Sequence, residues 1–191
     1  MRRVGANPGL QLAGLGTVVL LALLGYWAAQ PATQPRLALV PAAGGPLEVY
    51  FSPDGGCTDA IVRELNRARR SIRIQAYSFT SRPIAQALLA ARQRGIAIEV
   101  LLDKSNRTDQ YSAATFLKNQ GVPVRIDEQH AIAHNKIILI DDAVIITGSF
   151  NFSRAAEESN AENLLVIRDH PELVAQYQAN FAAHQAHSTP Y

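Results

Sequence analysis

Cysteine is nearly absent from the 191-residue chain: Cys57 stands alone. That excludes an intramolecular disulfide framework and any cysteine-rich zinc module. Methionine and tryptophan also occur once each, and charged residues make up only 18% of the chain. No acidic residue precedes Glu48, and no 20–50-residue repeat is visible. Three of the 18 basic residues, Arg2, Arg3 and Arg36, lie ahead of residue 47, which leaves 15 basic against 16 acidic residues beyond it. A net charge of −1 there is not that of a protein that coats nucleic acid through bulk charge. Apolar residues, by contrast, reach 48%, enough for a real core and too many for wholesale disorder.

Charge is also missing from Leu10 to Ala29, directly after Arg2 and Arg3. Basic residues followed by about 20 uncharged ones are the pattern of an export signal or a membrane anchor. No clean small-x-small cleavage pair occurs between Trp27 and Ala32, so residues 1–30 read as a signal peptide or a retained anchor. Either expectation places the remainder outside the cytoplasm, secreted or periplasmic. Residues 31–46 are rich in proline, alanine and glycine; proline fixes φ and removes a donor, so this stretch reads as a linker. Residues 47–191 are then the folded domain.

Within that domain strands and helices alternate. Leu47–Phe51 reads as a strand closed by the turn cluster Ser52-Pro53-Asp54-Gly55-Gly56. Ile61, Leu65 and Ala68 recur at helical spacing, with Arg63, Arg67, Arg69 and Arg70 off that stripe. Together with Arg73 these read as a solvated face rather than a nucleic-acid patch. Ser71–Phe79 alternates as a strand; Ile84, Leu88 and Ala91 mark a helix closed by Gly95; Ile96–Leu102 is an apolar strand. Tyr111, Ala114, Leu117 and Lys118 predict a third helix, Val122–Ile126 a strand, and Lys136–Ile140 with Val144–Thr147 a hairpin. A helix over Arg154–Glu158, a strand over Leu164–Ile167 and a last helix over Pro171–His184 complete the series. The expected fold is α/β: a mixed β-sheet sandwiched between helices on both faces.

Chemistry-bearing residues concentrate between positions 134 and 163. His134 and Lys136, two apart at the start of a strand, share one face. Ser149 and Asn151 are two apart after Gly148, and hairpin pairing brings both pairs to one end. An imidazole serves as nucleophile or acid-base near neutral pH, and ammonium, hydroxyl and amide donors suit phosphoryl oxygens.

His134-Asn135-Lys136, four residues, Asp141, six residues, then Gly148-Ser149-Phe150-Asn151 resembles the HxK(x)4D(x)6GSxN signature of the phospholipase D superfamily. Val49–Pro53, Ala76–Thr80 and Asn160–Asn163 extend the likeness to that superfamily's small, single-signature bacterial plasmid-type endonucleases, over essentially all of residues 47–191. The resemblance implies a metal-independent phosphodiesterase working through a phosphohistidine, without a cofactor. His134 then matches the nucleophile and general acid-base. Lys136, Ser149 and Asn151 match the phosphate-holding residues, and Glu162 the carboxylate that orients the histidine. Asp141 and Gly148 stand behind them as supports.

A single signature has a consequence. In-line displacement of an alkoxide needs a nucleophile on one side and a proton donor on the other. One imidazole cannot supply both, so a homodimer with a composite active site is expected. Three functions stay open: a sequence-nonspecific endonuclease on DNA or RNA first, a phospholipase D acting on phosphatidylcholine-type lipids second, a non-enzymatic binding protein third. His130 and His134, with Asp127 and Glu128 nearby, invite a metal reading. The intervening Ala131-Ile132-Ala133 sets up no helical face, and no metal is expected. His170, His184 and His187 read as ordinary surface residues, and Cys57 as a free thiol in a turn.

Overall fold

The computed structural model describes residues 47–191; the leader and linker readings of residues 1–46 lie outside the described residues. Among the described residues, no helix is long and apolar enough to cross a membrane. The elements run β1 (Leu47–Ser52), α1 (Cys57–Arg67), β2 (Ser71–Ala76), α2 (Arg82–Gln93) and β3 (Ala97–Asp103). A 3-10 turn (Lys104–Arg107), α3 (Ala113–Asn119), β4 (Val124–Asp127), β5 (Lys136–Ile140) and β6 (Val144–Gly148) follow. The chain ends with α4 (Arg154–Glu158), β7 (Glu162–Arg168), α5 (Pro171–His187) and β8 (Thr189–Pro190).

All eight strands form one sheet in the order β1-β7-β6-β5-β2-β3-β4-β8. β2, β3 and β4 are mutually parallel, and every other neighbour is antiparallel. The sheet is therefore mixed, as the alternating elements predict. Pleat alternation assigns its two faces. Ile72, Ile74, Ile138, Ile140, Ile146, Leu164 and Val166 point into a large core shared with α1, α2, α3 and Ala156 of α4. Leu101, Ile137, Leu139 and Ile145 point the other way, onto Val174 and Phe181 of α5. Every residue of β5 is buried, as expected of a strand covered on both faces.

Local chemistry sets the turns. Asp141 and Asp142 both have left-handed φ, 57° each, and Ala143 N–H donates to the Ile140 carbonyl at 3.0 Å. Two positive φ values are what a type I′ hairpin turn requires. The Asp141 carboxylate accepts from the backbone N–H groups of Arg69, Arg70 and Ser71 at 2.8, 2.7 and 3.0 Å. It thereby ties the hairpin turn to the start of β2.

Several expectations need correction. β2 ends at Ala76 rather than Phe79, because its paired partners β3 and β5 end there; Phe79 instead makes an isolated bridge to Phe152. Tyr111 lies outside α3 and is exposed, since Ser112 caps that helix, its Oγ accepting from Ala114 N–H at 3.2 Å. Arg63 and Arg67 are not a free solvated face. Arg63 pairs with Glu48 (2.8 Å) and Glu64 (3.0 Å), and Arg67 with Glu64 (3.1 Å). Arg168 of β7 completes the network onto both buried carboxylates. Cys57 sits in the core as the first residue of α1, and burial pushes its thiol up to about 12. Such a thiol is inert.

Candidate active site

The carboxyl ends of β1, β6 and β2 and the amino ends of β5 and β7 meet at one edge of the sheet. Strand pairing places Ile138 opposite Ile146 and Gly148 opposite Leu164. Continuing that register by two residues sets Lys136, Gly148 and Leu164 in one row across β5, β6 and β7. His134 and Glu162 lie one step beyond it, on strands separated only by β6. Lys136 and Glu162 follow the alternation of Ile138 and Leu164, so they share the face of the large core.

Lys136 is the unusual member. It is only 7% exposed, and its Nζ donates to the His134 carbonyl at 2.8 Å while lying 5.3 Å from the Tyr77 ring centroid. Burial lowers its pKa, an effect opposed by the nearby Glu162 carboxylate. A buried ammonium held mainly by a carbonyl and an aromatic face is under-compensated, which favours an incoming anion. His134 is exposed, and its ring packs on Tyr77 with centroids 4.6 Å apart. Tyr77 was not anticipated as part of this site; its proximity follows from Tyr77 N–H donating to the Asn135 carbonyl at 2.9 Å.

Gly148 explains why a glycine precedes the serine. Its φ is +147°, and a Cβ there would lie 2.2 Å from the Asn163 carbonyl oxygen. That oxygen accepts from both Ser149 N–H (3.1 Å) and Phe150 N–H (3.2 Å), fixing the turn out of β6. Ser149 Oγ accepts from Asn163 N–H and Nδ2 at 3.1 and 3.3 Å, which leaves its own proton for a ligand. Asn151 is partly buried, and its Oδ1 has no hydrogen-bond partner among the described residues. Glu162 donates its backbone N–H to Ser52 Oγ at 3.2 Å, and its Oε1 accepts from Asn160 Nδ2 at 3.1 Å. No hydrogen bond joins Glu162 to His134 among the described residues. Asp141 lies at the far end of β5, away from His134, where it holds backbone. An open cleft of about 360 Å³ adjoins the site, lined by His134, Lys136, Thr147, Gln176, Tyr177 and Asn180 among others.

His130 does not join His134. It lies instead with His184 and His187 around Asp127, so the surface reading of those two helix residues was wrong. Glu128 pairs with Arg107 and takes no part. The missed signal was the His-x-x-His spacing in the last turn of α5, which puts both imidazoles on one helix face.

Comparison with known proteins agrees with this geometry. Residues 61–185 match the family described as cardiolipin synthase, PLD-like domain. The chain belongs to the phospholipase D superfamily. Phospholipase D of Rickettsia felis is 42% identical over 136 residues, 71% of this chain and 68% of that protein. Mitochondrial cardiolipin hydrolase of Xenopus tropicalis is 32% identical over 117 residues, 61% of this chain and 55% of that protein. Among solved structures, the phospholipase D family member Nuc of Salmonella typhimurium superposes with a TM-score of 0.73 at 35% identity. That match covers 76% of this chain and 97% of Nuc. The chain is thus a superfamily phosphodiesterase hydrolase, built on the mixed sheet its structural neighbours share.

Proposed function

We propose that this phosphodiesterase is a sequence-nonspecific endonuclease that cleaves nucleic-acid phosphodiesters through a covalent phosphohistidine on His134. The observation that carries the reading is the buried, under-compensated Lys136 ammonium beside an exposed imidazole at an open cleft. The cleft wall mixes amide and hydroxyl groups of Gln176, Asn180, Tyr177 and Thr147 with the apolar Ile137.

In this mechanism a neutral His134 nitrogen attacks phosphorus while the bond to the leaving sugar oxygen breaks. His134 of the partner subunit donates the proton that this oxygen takes up. The partner imidazole, now neutral, accepts a proton from water as the water oxygen attacks phosphorus and the P–N bond breaks. Lys136 Nζ, Ser149 Oγ and the Asn151 amide donate to the non-bridging oxygens, where charge develops. Glu162, one strand away across β6 and not hydrogen-bonded to His134 among the described residues, would orient it once substrate is bound. None of these steps calls on a metal.

Rapid quenching of labelled oligonucleotide turnover, followed by mass spectrometry at neutral or basic pH, tests the reading. A phosphoryl adduct on His134 is expected; single-turnover cleavage with no adduct on that residue would refute it. Sedimentation across a dilution series tests the composite site, which requires activity to vanish with the dimer.

A second reading, hydrolysis of a phospholipid headgroup ester, is favoured by two exposed apolar side chains near this edge. Ile132 lies two residues before His134, and Phe51 pairs opposite Asn163. Equal or faster turnover of phosphatidylcholine vesicles than of plasmid DNA would put this reading first. The charge-free segment after Arg2 and Arg3 supports export to the non-cytoplasmic side, which cell fractionation of the full chain would test.

A further inference from the structure

Asp127, His130, His184 and His187 form the densest cluster of ligating side chains outside the catalytic site. Each offers one ligand atom, and the four atoms lie within 4.8 Å of one another. Asp127 Oδ2 is 3.0 Å from His130 Nδ1, 2.7 Å from His184 Nδ1 and 3.2 Å from His187 Nε2. Ring centroids lie 4.7, 5.3 and 5.4 Å apart, so the three imidazoles converge on one point. Ligand atoms on a tetrahedral zinc, with bonds of about 2.0–2.1 Å, sit about 3.3 Å from each other. The three oxygen-to-nitrogen spacings approach that edge length, and the four atoms together lie within 4.8 Å.

Hydrogen bonding alone accounts poorly for this arrangement. A carboxylate oxygen has two lone pairs, yet three ring nitrogens crowd Asp127 Oδ2. Oδ1 meanwhile accepts from Gln129 N–H at 3.1 Å and shares His130 Nδ1, which is 3.1 Å away. His187 Nε2 is buried and close, but its approach to the carboxylate is not aligned as a hydrogen bond. An imidazole nitrogen can present a lone pair to a cation, and three imidazoles converge here beside one carboxylate.

The frame around the cluster is already rigid. Asp127 is the last residue of β4, while His184 and His187 occupy the last turn of α5. β8 pairs with β4 directly after that helix, and Ser188 Oγ donates to the His184 carbonyl at 2.7 Å. Residues 128–135 run from the cluster to the nucleophile. Lys104 Nζ holds the His130 carbonyl at 3.1 Å, and Asp103 Oδ2 accepts from Ala133 N–H at 2.7 Å. Asp127 and His184 share the wall of a small internal cavity with Ala133 and Asn135.

We propose that Asp127, His130, His184 and His187 bind one divalent transition-metal ion of the zinc class, clamping the C-terminal helix to the loop that carries His134. The ion is structural and takes no part in the chemistry at Lys136. Three nitrogens and one oxygen suit zinc better than magnesium or calcium, which prefer all-oxygen shells.

The test uses the full chain, stripped with a chelator, dialysed and titrated with Zn2+ against a chromophoric competitor, with Co2+ as a spectroscopic substitute. Wild type is expected to take up one equivalent, to give the visible absorption of tetrahedral cobalt, and to melt at a higher temperature when loaded. His134→Ala should keep that equivalent. His187→Ala should lose affinity by more than the roughly 10–100-fold typical of outer-shell changes. Should that variant fold poorly, His130→Ala serves instead, because its 45%-exposed side chain can be removed with little loss of packing. A wild type that binds well below one equivalent would overturn the proposal. So would variants at 130 and 187 that bind as tightly as wild type, or a site abolished by His134→Ala.

Discussion

His134 and His184 occupy the same edge of one sheet in unlike company. Around His134 the polar groups are loosely satisfied: Lys136 holds only a carbonyl and a ring face, and the Asn151 oxygen is unpartnered. Around His184 one carboxylate draws in three imidazoles, and the His184 carbonyl accepts from Ser188 Oγ. Burial raises the pKa of Asp127, but the imidazoles of His184, His187 and His130 gathered on it outweigh that and hold the carboxyl well below the usual range. At Lys136 burial prevails and the shift disfavours the charge. A site that receives an external anion keeps part of its charge uncompensated until the ligand arrives. A site that serves the fold gathers its charged and ligating groups onto one another.

The contrast breaks most visibly at His134 and Lys136. His134→Ala or Lys136→Met should cut single-turnover phosphodiester cleavage by roughly 10³–10⁴-fold or more, the scale of essential catalytic groups. Melting temperature should move little, because His134 is exposed and the charge of Lys136 is disfavoured by its burial. Near-normal turnover in a folded variant would mean the site is elsewhere.

Gly148→Ala is the next largest change, and it tests whether the loosely bonded site still depends on a tightly built support. The added methyl meets the Asn163 carbonyl at 2.2 Å on a backbone with φ of +147°. The clash and the strained φ together should cost roughly 2–4 kcal/mol of stability and displace Ser149. Chemical denaturation measures the first effect and cleavage kinetics the second. Gly56→Ala is the control, since its Cβ meets nothing within 4 Å and only the positive φ is penalised.

The two regions were unequally legible in the sequence. His134, Lys136, Gly148, Ser149 and Glu162 fall within one stretch of hairpin and strand, where pleat parity and register are local properties. Asp127 and His184 are 57 positions apart. Their meeting depends on α5 running to His187 and on β8 pairing with β4. A two-residue strand containing Pro190 gives no periodic signal, so both histidines read as surface. The same limit hid the Arg63–Glu48–Arg168 network. Helical spacing shows that Arg63 lies off the apolar stripe, but not that strands from both ends of the domain deliver its partners. β2 was over-extended for a related reason: alternation persists to Phe79, whereas pairing stops where the neighbouring strands stop.

The smallest predicted effect concerns Asp141, which belongs to the signature yet lies on the structural side of the contrast. Burial raises its pKa, but backbone N–H donors from Ser71, Arg69 and Arg70, with the Arg70 charge, bring it below the ordinary carboxylate value. A depressed folded-state pKa stabilises the protein above the unfolded value of about 3.9. That contribution is lost as pH falls through the lower folded value. Asp141→Asn keeps one acceptor oxygen and removes the charge, so it should cost about 1–2 kcal/mol at pH 7. Denaturation of both proteins from pH 7 down to pH 3 should show the difference shrinking below pH 4. Cleavage by the variant at pH 7 should stay within about tenfold of wild type, because the carboxylate holds the start of β2 and the hairpin turn rather than the phosphate. A loss as large as that of Lys136→Met, in a protein of unchanged stability, would move Asp141 into the catalytic group and erase the distinction between the two ends of β5.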